Sequence, residues 1–340
     1  MRFLRYILVS LILLGSVTSE AQDEQDIYLQ VGAEEGKQFL ESYLAPLFSG
    51  VGYGFSAGWY NTGETHDPLG FDITISGSLA FIPKSDFTFR FNNSEYEKLQ
   101  LSNESSAQLP TIFGPQNKEQ RPELTILDEN DETLVRVTSP PGAIDMKDVI
   151  GFDAVPIPMV QIGLGLYAGT DIKFRYLPKL DFGRASVSMF GMGLQHDLGQ
   201  WFKRTKYQNV SISLLGAFNG LTTTGDLSYS DPDTKNNKGV FKINGVNFQL
   251  IGSKEYLDLI TIYGGVGFAR AGSRVQILGN YPIDEQYEQL TKDPIDFRYS
   301  QSSMNFTAGL TVKLLFITLG LSHTMQKYQV TTASIGISVR

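Results

Sequence analysis

The feature that most constrains this fold is the run of alternating side chains between Ser303 and Arg340. In three successive stretches every second residue is apolar, and the residues between them are mostly Gly, Ser and Thr. The apolar members are Met304, Phe306, Ala308, Leu310 and Val312, then Leu315, Ile317, Leu319 and Leu321, and last Ala333, Ile335, Ile337 and Val339. A period of two gives each predicted strand one apolar face and one small polar face. Apolar side chains outside and small polar ones inside are typical of an antiparallel transmembrane β-barrel, an all-β fold.

The N-terminus has the three parts of a secretory signal peptide. Arg2 and Arg5 supply the positive charge, and residues 6–14 supply an apolar run. A Ser-Glu-Ala sequence that ends at Ala21 is a cleavage site of the small-x-small type. We therefore expect residues 1–21 to be removed. An N-terminal membrane anchor is disfavoured because the apolar run is shorter than the roughly 20 residues that cross a bilayer.

The composition excludes several classes of protein. The chain has no Cys, which rules out a disulfide framework and thiolate metal sites. Its net charge is −8 at pH 7, and losing two Arg and one Glu with the signal lowers it to −9. An acidic chain argues against nucleic acid as a partner. A secreted chain without a long apolar run enters a membrane only as a closed barrel, so we expect the outer membrane of a Gram-negative cell, with its lipid as the surrounding partner.

An N-terminal segment, residues 22–48, precedes the predicted barrel, and its apolar pattern predicts a short helix over residues 34–47. The apolar residues of this helix share one face, and they are Phe39, Leu40, Tyr43, Leu44 and Leu47. Two positions suit such a helix. It lies either under the periplasmic mouth of the barrel or inside the lumen as a plug, and the residues leave both open.

The barrel is predicted to cover residues 49–340, beginning with a Gly-rich strand over residues 49–60. Outer-membrane barrels have even strand numbers, short periplasmic turns and long outer loops. Counting back from a periplasmic C-terminus then gives twelve strands, and a hairpin at residues 124–137 would raise the number to fourteen. The predicted outer segments are residues 61–69, 92–156, 222–238 and 279–302, of which 92–156 is a long extracellular segment. The predicted periplasmic turns are residues 83–85, 168–170, 253–258 and 313–314.

Charged residues on the wall are predicted to face the lumen, and they are Asp72, Arg90, Asp171, Lys173, Arg175 and Lys313. A Lys or Arg that faces lipid near the midplane costs roughly 2–4 kcal/mol. Two of them together with an Asp, as in Asp171, Lys173 and Arg175, would approach the whole stability of a domain, roughly 5–15 kcal/mol. The other lumenal residues are mostly small, so the interior is underfilled. Water, a ligand or a segment of the chain itself must occupy it.

The sequence contains no motif for metal, nucleophilic or phosphate chemistry. His66 and His196 are each followed by Asp, but the strand count places them at opposite rims of the barrel. They cannot then form one site. We therefore expect no enzymatic activity, no metal and no cofactor.

Four stretches together carry a family resemblance. They are YLAPL at 43–47 with GWYNTGETH at 58–66, LPTIFGP at 109–115, TDIKFRYLP at 170–178 and GMGLQHDLGQW at 191–201. The set resembles an uncharacterised family of Bacteroidetes outer-membrane β-barrel proteins, a domain family of unknown function. That resemblance implies a location and a fold but no activity. More distantly, a Gly-rich first strand after a short helix is similar to FadL-like fatty-acid transporter barrels, which have an N-terminal plug, although no residue of their ligand site matches by motif.

These patterns favour a channel or transporter for a small solute, hydrophobic solutes included. The alternative is a structural or interaction barrel, in which residues 92–156 dock an unidentified surface or secretion partner. An outer-membrane enzyme that modifies lipid is the least favoured hypothesis.

Overall fold

The computed structural model describes residues 33–128, 130–202, 209–227, 237–282, 290–293 and 295–339. The predicted signal peptide and cleavage site lie outside these residues. In chain order the helices and strands are α1 (Ala33–Ser56), β1 (Phe71–Phe81), β2 (Thr88–Asn92), β3 (Leu99–Leu101), β4 (Ser106–Pro110), β5 (Glu123–Leu127), β6 (Thr133–Thr138), α2 (Met146–Ile150), β7 (Ala154–Leu166), β8 (Thr170–Phe182), β9 (Ala185–Asp197), β10 (Val210–Asp226), β11 (Lys238–Tyr256), β12 (Ile260–Leu278), β13 (Asn280–Pro282), β14 (Leu290–Lys292), β15 (Ile295–Leu314), β16 (Ile317–Met325) and β17 (Val330–Val339).

Strands from the described residues close into an antiparallel barrel in the order β1-β17-β16-β15-β12-β11-β10-β9-β8-β7. The predicted all-β barrel is confirmed, and an N-terminal helix is present. The prediction of twelve strands is wrong, because ten strands of the described chain make up the wall. No helix in the described ranges is long and apolar enough to cross a membrane.

The two rims of the barrel carry different connections. The turn rim has residues 167–169, 257–259 and 315–316, together with the start of β1 at Phe71. The loop rim has, within the described chain, residues 82–128, 130–153, 227, 237, 279–282 and 290–293. Two of the predicted placements are therefore wrong. Residues 83–85 lie at the loop rim, and residues 61–69 run inside the barrel to the turn rim.

The predicted first strand over residues 49–60 is wrong for a packing reason. Residues 49–56 continue α1, which is 24 residues long, and the wall begins only at Phe71. A Cβ on Gly50 would overlap Val155 of β7, and one on Gly52 would overlap Gln301 of β15. These glycines let the helix approach opposite sides of the wall, so they serve close packing rather than a strand.

Residues 82–153, which we call the excursion, form their own small structure at the loop rim. β2 pairs with β4, and β5 pairs with β3 and β6, apart from the barrel wall. The hairpin predicted at residues 124–137 is present but adds no strand to the wall. Arg90 lies exposed in β2, so its predicted place in the lumen is wrong. Phe89 and Phe91 of β2 pack in a cluster with Phe39 of α1 and residues of the excursion.

Candidate functional site

The lumen is filled by the chain itself, by residues 48–70, which we call the interior segment. Phe48, Phe55 and Trp59 are fully buried within it. Phe48 stacks on Phe241 of β11 with ring centroids 5.1 Å apart, while Gly50 lies against Val155 of β7. The segment thus touches opposite sides of the wall, and it occupies the space that the small lumenal residues leave.

Wall side chains bind the carbonyl groups at the end of α1. Asn219 Nδ2 donates to Phe55 O at 3.0 Å, and Asn247 Nδ2 donates to Ser56 O at 2.8 Å. Arg175 Nη2 donates to Ala57 O at 3.0 Å. The last carbonyls of a helix lack partners within the helix and form the negative end of its dipole. Arg175 therefore places a positive charge where the helix end is most negative.

Arg175 is fully buried, and its contacts compensate that burial. Its guanidinium carbon lies 3.8 Å from the ring centroid of Trp59, and its Nε donates to Gln161 Oε1 at 3.0 Å. A buried charge is costly unless it is hydrogen-bonded and paired with a compensating group. Here the carbonyl oxygens, an amide and the aromatic face provide that compensation, so the interior segment and Arg175 stabilise each other.

Further wall groups bind the lower part of the interior segment. Lys173 Nζ donates to Trp59 O at 3.2 Å, Thr311 Oγ1 to Asn61 O at 2.7 Å and Gln195 Nε2 to Thr62 O at 3.2 Å, while Gly63 N donates to Ser253 Oγ at 2.9 Å. Most of these partners are uncharged amides and hydroxyls. The sequence prediction named only charged residues and so missed them, although an Asn or Gln at an inward-facing strand position was the available signal.

His66 fastens the interior segment at the turn rim. Its Nδ1 lies 2.9 Å from Asp171 Oδ2, and its backbone N–H donates to Asp171 Oδ1 at 2.9 Å. Its Nε2 lies 3.7 Å from Asp72 Oδ1 and 3.5 Å from Ser338 Oγ. Two predicted lumenal carboxylates, Asp72 and Asp171, therefore both lie beside the His66 imidazole.

The prediction that His66 and His196 lie at opposite rims is wrong. His196 Nδ1 lies 2.8 Å from Thr170 Oγ1, and His66 contacts the next residue, Asp171. Both imidazoles are thus at the turn rim. Neighbouring residues of a strand point to opposite faces, so the two rings lie on opposite sides of the wall and share no site.

The other end of α1 is joined to the excursion. Glu35 accepts hydrogen bonds from the backbone N–H groups of residues 97–99 at 2.7–3.2 Å. Phe39 is buried against Phe89, with ring centroids 5.5 Å apart. Tyr43 Oη donates to Pro141 O at 2.8 Å. The predicted apolar face of the helix therefore divides between two regions. Its first part contacts the excursion, and Leu40, Leu44 and Leu47 pack against clusters that include wall residues.

Lys313 lies half-buried at the turn end of β15, opposite Thr318 of β16. Among the residues described, no group of three His, Asp or Glu side chains is placed to hold a metal ion. Docking of a partner by residues 92–156 stays a prediction.

An apolar cavity of about 60 Å³ lies near the loop rim, between α1, the excursion and the wall. Every residue that lines it is apolar, and the lining consists of Leu47, Val51, Phe55, Phe113, Ile144, Met146, Val155, Pro156, Ile157, Pro158, Leu177, Met189 and Leu221. Pockets for drug-sized ligands usually measure about 300–1,000 Å³. The cavity therefore admits a small apolar group, and a larger solute requires α1 or the wall to move.

Comparison with known proteins identifies a family whose function is unknown. No curated protein sequence is significantly similar to this chain. Solved structures to which it is similar include the outer membrane protease OmpT of Escherichia coli, with 9% identity over 82% of this chain and 100% of that one, and a TM-score of 0.34. The translocator domain of the autotransporter NalP of Neisseria meningitidis has 8% identity over 81% and 90%, with a TM-score of 0.29. The attachment invasion locus protein Ail of Yersinia pestis has 10% identity over 80% and 99%, with a TM-score of 0.27.

These values are too low to carry an argument about activity. The resemblance to FadL-like barrels and the Bacteroidetes origin stay predictions. The model of a family of unknown function, DUF6588, matches residues 1–339, so the chain belongs to that family.

Proposed function

We propose that this chain is an outer-membrane barrel that transports a small apolar solute. The outer wall supports the membrane location, because large apolar side chains are exposed all around the barrel. They include Ile73, Ile75, Ile162, Leu164, Phe190, Met192, Leu194, Phe248, Leu250, Phe306, Leu310, Ile335 and Ile337. Such a belt is stable in lipid and would be costly in water. The loop rim then faces outward and the turn rim faces the periplasm, as in barrels of this class.

The observation that carries the proposal is the apolar cavity at the loop rim. It lies beside an interior segment that many polar wall groups hold in place, so the lumen contains protein where an open porin contains water. A wholly apolar lining favours a solute without charge, because burying an unpaired polar group is costly. Transport in this form depends on a bound solute, and it differs from free diffusion through a water-filled pore.

A binding experiment with a matched control tests this proposal. The probe is N-phenyl-1-naphthylamine, an uncharged fluorophore that brightens in apolar surroundings, titrated into purified protein in detergent with the signal of protein-free micelles subtracted. It is larger than the closed cavity, so its binding requires α1 or the wall to move. Ile157→Trp places bulk in the cavity, since Ile157 is 5% exposed and lines it. Ile162→Trp makes the same change on the same strand at a side chain that is 48% exposed to the membrane.

We expect Ile157→Trp to weaken probe binding at least tenfold, about 1.4 kcal/mol, and Ile162→Trp to leave it unchanged. Wild-type protein that does not bind the probe, or two variants that bind it alike, would contradict the proposal.

We also propose that the chain is not an enzyme. The reason lies in the contacts of His66. Among the described residues of the lumen, its imidazole is the one that contacts both a Ser and an Asp. A general base needs a free ring nitrogen facing its nucleophile. Nε2 of His66 faces the Asp72 carboxylate as well as Ser338. The cluster thus suits a set of hydrogen bonds that holds the interior segment. Ester hydrolysis by purified protein that Ser338→Ala abolishes would overturn this view.

A further inference from the structure

The wall has a discontinuity between β7 and β8. Within the described chain, the ladder between these strands runs from Leu166↔Thr170 to Gln161↔Arg175 and stops there. Beyond that point residues 154–160 still pair with β1, and β8 still pairs with β9. We call the unpaired edges, residues 154–160 and 176–182, the seam. It lies in the half of the wall nearer the loop rim.

Proline positions explain the seam. Pro156 and Pro158 lie in β7, and Pro178 lies in β8, so the facing edges lack three backbone N–H donors. The register of β8 against β9 also shifts between Leu177 and Leu180, which marks a β-bulge around Pro178. A bulge bends its strand and ends regular pairing, and proline is confined to edges and bulges. The sequence itself therefore keeps these two strands apart.

The apolar cavity meets the seam. Val155 and Ile157 line the cavity and are buried, as expected for the inward-facing positions of β7. Pro156 and Pro158 alternate with them and so point to the outer face, yet they line the same cavity. Leu177 lines it from β8. A cavity closed off by a continuous ladder would contact one face of β7, whereas this one contacts both.

The outer end of the seam opens onto the membrane belt. Val160 of β7 is 40% exposed and Tyr176 of β8 is 62% exposed, and both stand where the ladder ends. Below them on the same strands, Ile162, Leu164 and Phe174 continue the exposed apolar surface. A solute in the cavity is therefore separated from the lipid-facing surface by unpaired strand edges alone. Between the cavity and the turn rim, by contrast, lies the interior segment with its hydrogen bonds to the wall.

We infer that a slender apolar solute passes sideways through the seam, between the cavity and the membrane. This inference rests on the proposed function and names its route. Passage down the lumen would require the interior segment to release Arg175, Asn219, Asn247 and the groups below them. Passage through the seam breaks no ladder hydrogen bond. The cavity lining and the exit between Val160 and the Tyr176 ring are apolar, and the ion pair of Lys179 with Asp181 lies farther along β8, toward the loop rim. The solute that uses this route is itself soluble in the membrane, as an uncharged hydrocarbon is.

Crosslinking the seam tests the route, and a chain without Cys is suited to it. Pro158→Cys with Pro178→Cys places thiols on the two edges, at the positions that would pair if the ladder continued. Ile162→Cys with Phe174→Cys, which are paired residues of the same two strands, is the control. Each is studied oxidised and reduced, so the substitutions themselves cancel in the comparison. A bifunctional maleimide bridges any pair that does not oxidise.

Two readouts separate the route from the function. Equilibrium binding of N-phenyl-1-naphthylamine in detergent reports on the cavity, and the rate of its transfer from lipid vesicles to protein in proteoliposomes reports on the route. We expect the bridged seam to slow transfer at least tenfold, with reversal by reductant for the disulfide. The bridged control pair is expected to transfer at the wild-type rate.

Normal binding with an unchanged transfer rate in the bridged seam would overturn the lateral route while leaving the proposed function intact. Failure of the wild-type protein to bind the probe would overturn both the lateral route and the proposed function. Hydrogen exchange checks the seam without any solute. Amides of residues 176–182 that face β7 should exchange faster than those of residues 170–175, and equal protection of the two stretches would overturn the inference.

Discussion

Replacing Arg175 with Met should release the end of α1 from the wall. Met has a similar length and no charge, so the change removes the donors to Ala57 O and Gln161 Oε1 and the cation over Trp59. Hydrogen bonds from a charged group contribute about 1.5–3 kcal/mol each, and a desolvated cation–π contact contributes about 2 kcal/mol. Relief of the buried charge offsets part of this sum. We expect a net loss of about 2–4 kcal/mol in the attachment of the interior segment.

A loss of about 3 kcal/mol raises the fraction of molecules with a displaced segment by roughly a hundredfold, since each 1.4 kcal/mol is a factor of ten. Planar-bilayer recordings should then show frequent open events in Arg175→Met and rare ones in the wild type. Arg90→Met is the control, because it makes the same change at an exposed position in the excursion. Identical recordings from all three proteins, each shown to be folded by heat-dependent gel mobility, would refute the assigned role of Arg175.

Two further predictions concern packing and pH. Gly50→Ala should destabilise the barrel by about 1–3 kcal/mol, because its Cβ would overlap Val155, whereas Gly77 has open space and Gly77→Ala should have little effect. Urea unfolding measures both, and Val155→Ala should reduce the Gly50→Ala penalty if the overlap is its cause. Burial raises the pKa of Asp86, but the hydrogen bond from Tyr328 and other partners outweigh it and hold that pKa below its ordinary 3.8. A carboxylate with a lowered pKa stabilises the fold above about pH 3.8, and this contribution is lost as the pH falls through the lowered pKa. The wild type should therefore unfold at higher urea than Asp86→Asn at pH 6, and the difference should vanish toward pH 2; a constant difference would contradict the assignment.

The barrel itself was predictable from local pattern. In the stretch from Ser303 onward, alternation of apolar and small polar residues determines which face meets lipid, and each strand carries that information by itself. The same logic placed Asp171, Lys173 and Arg175 inside, where the structure has them buried. A charge facing hydrocarbon costs more than any local preference can offset, so neighbours along the chain were enough for this inference.

The number of strands and the contents of the lumen depend on contacts between distant residues. Glycines 50, 52 and 54 suit a strand by composition, yet they lie in a helix, where a Cβ on any of them would overlap a side chain of the wall. The carbonyl groups that Arg175 binds belong to residues more than a hundred positions away in the chain. Prolines 156, 158 and 178 were visible in the sequence from the start. Only the tertiary structure decides that they face one another across an unpaired seam, because the pairing of two strands depends on both segments and is not determined by either one alone.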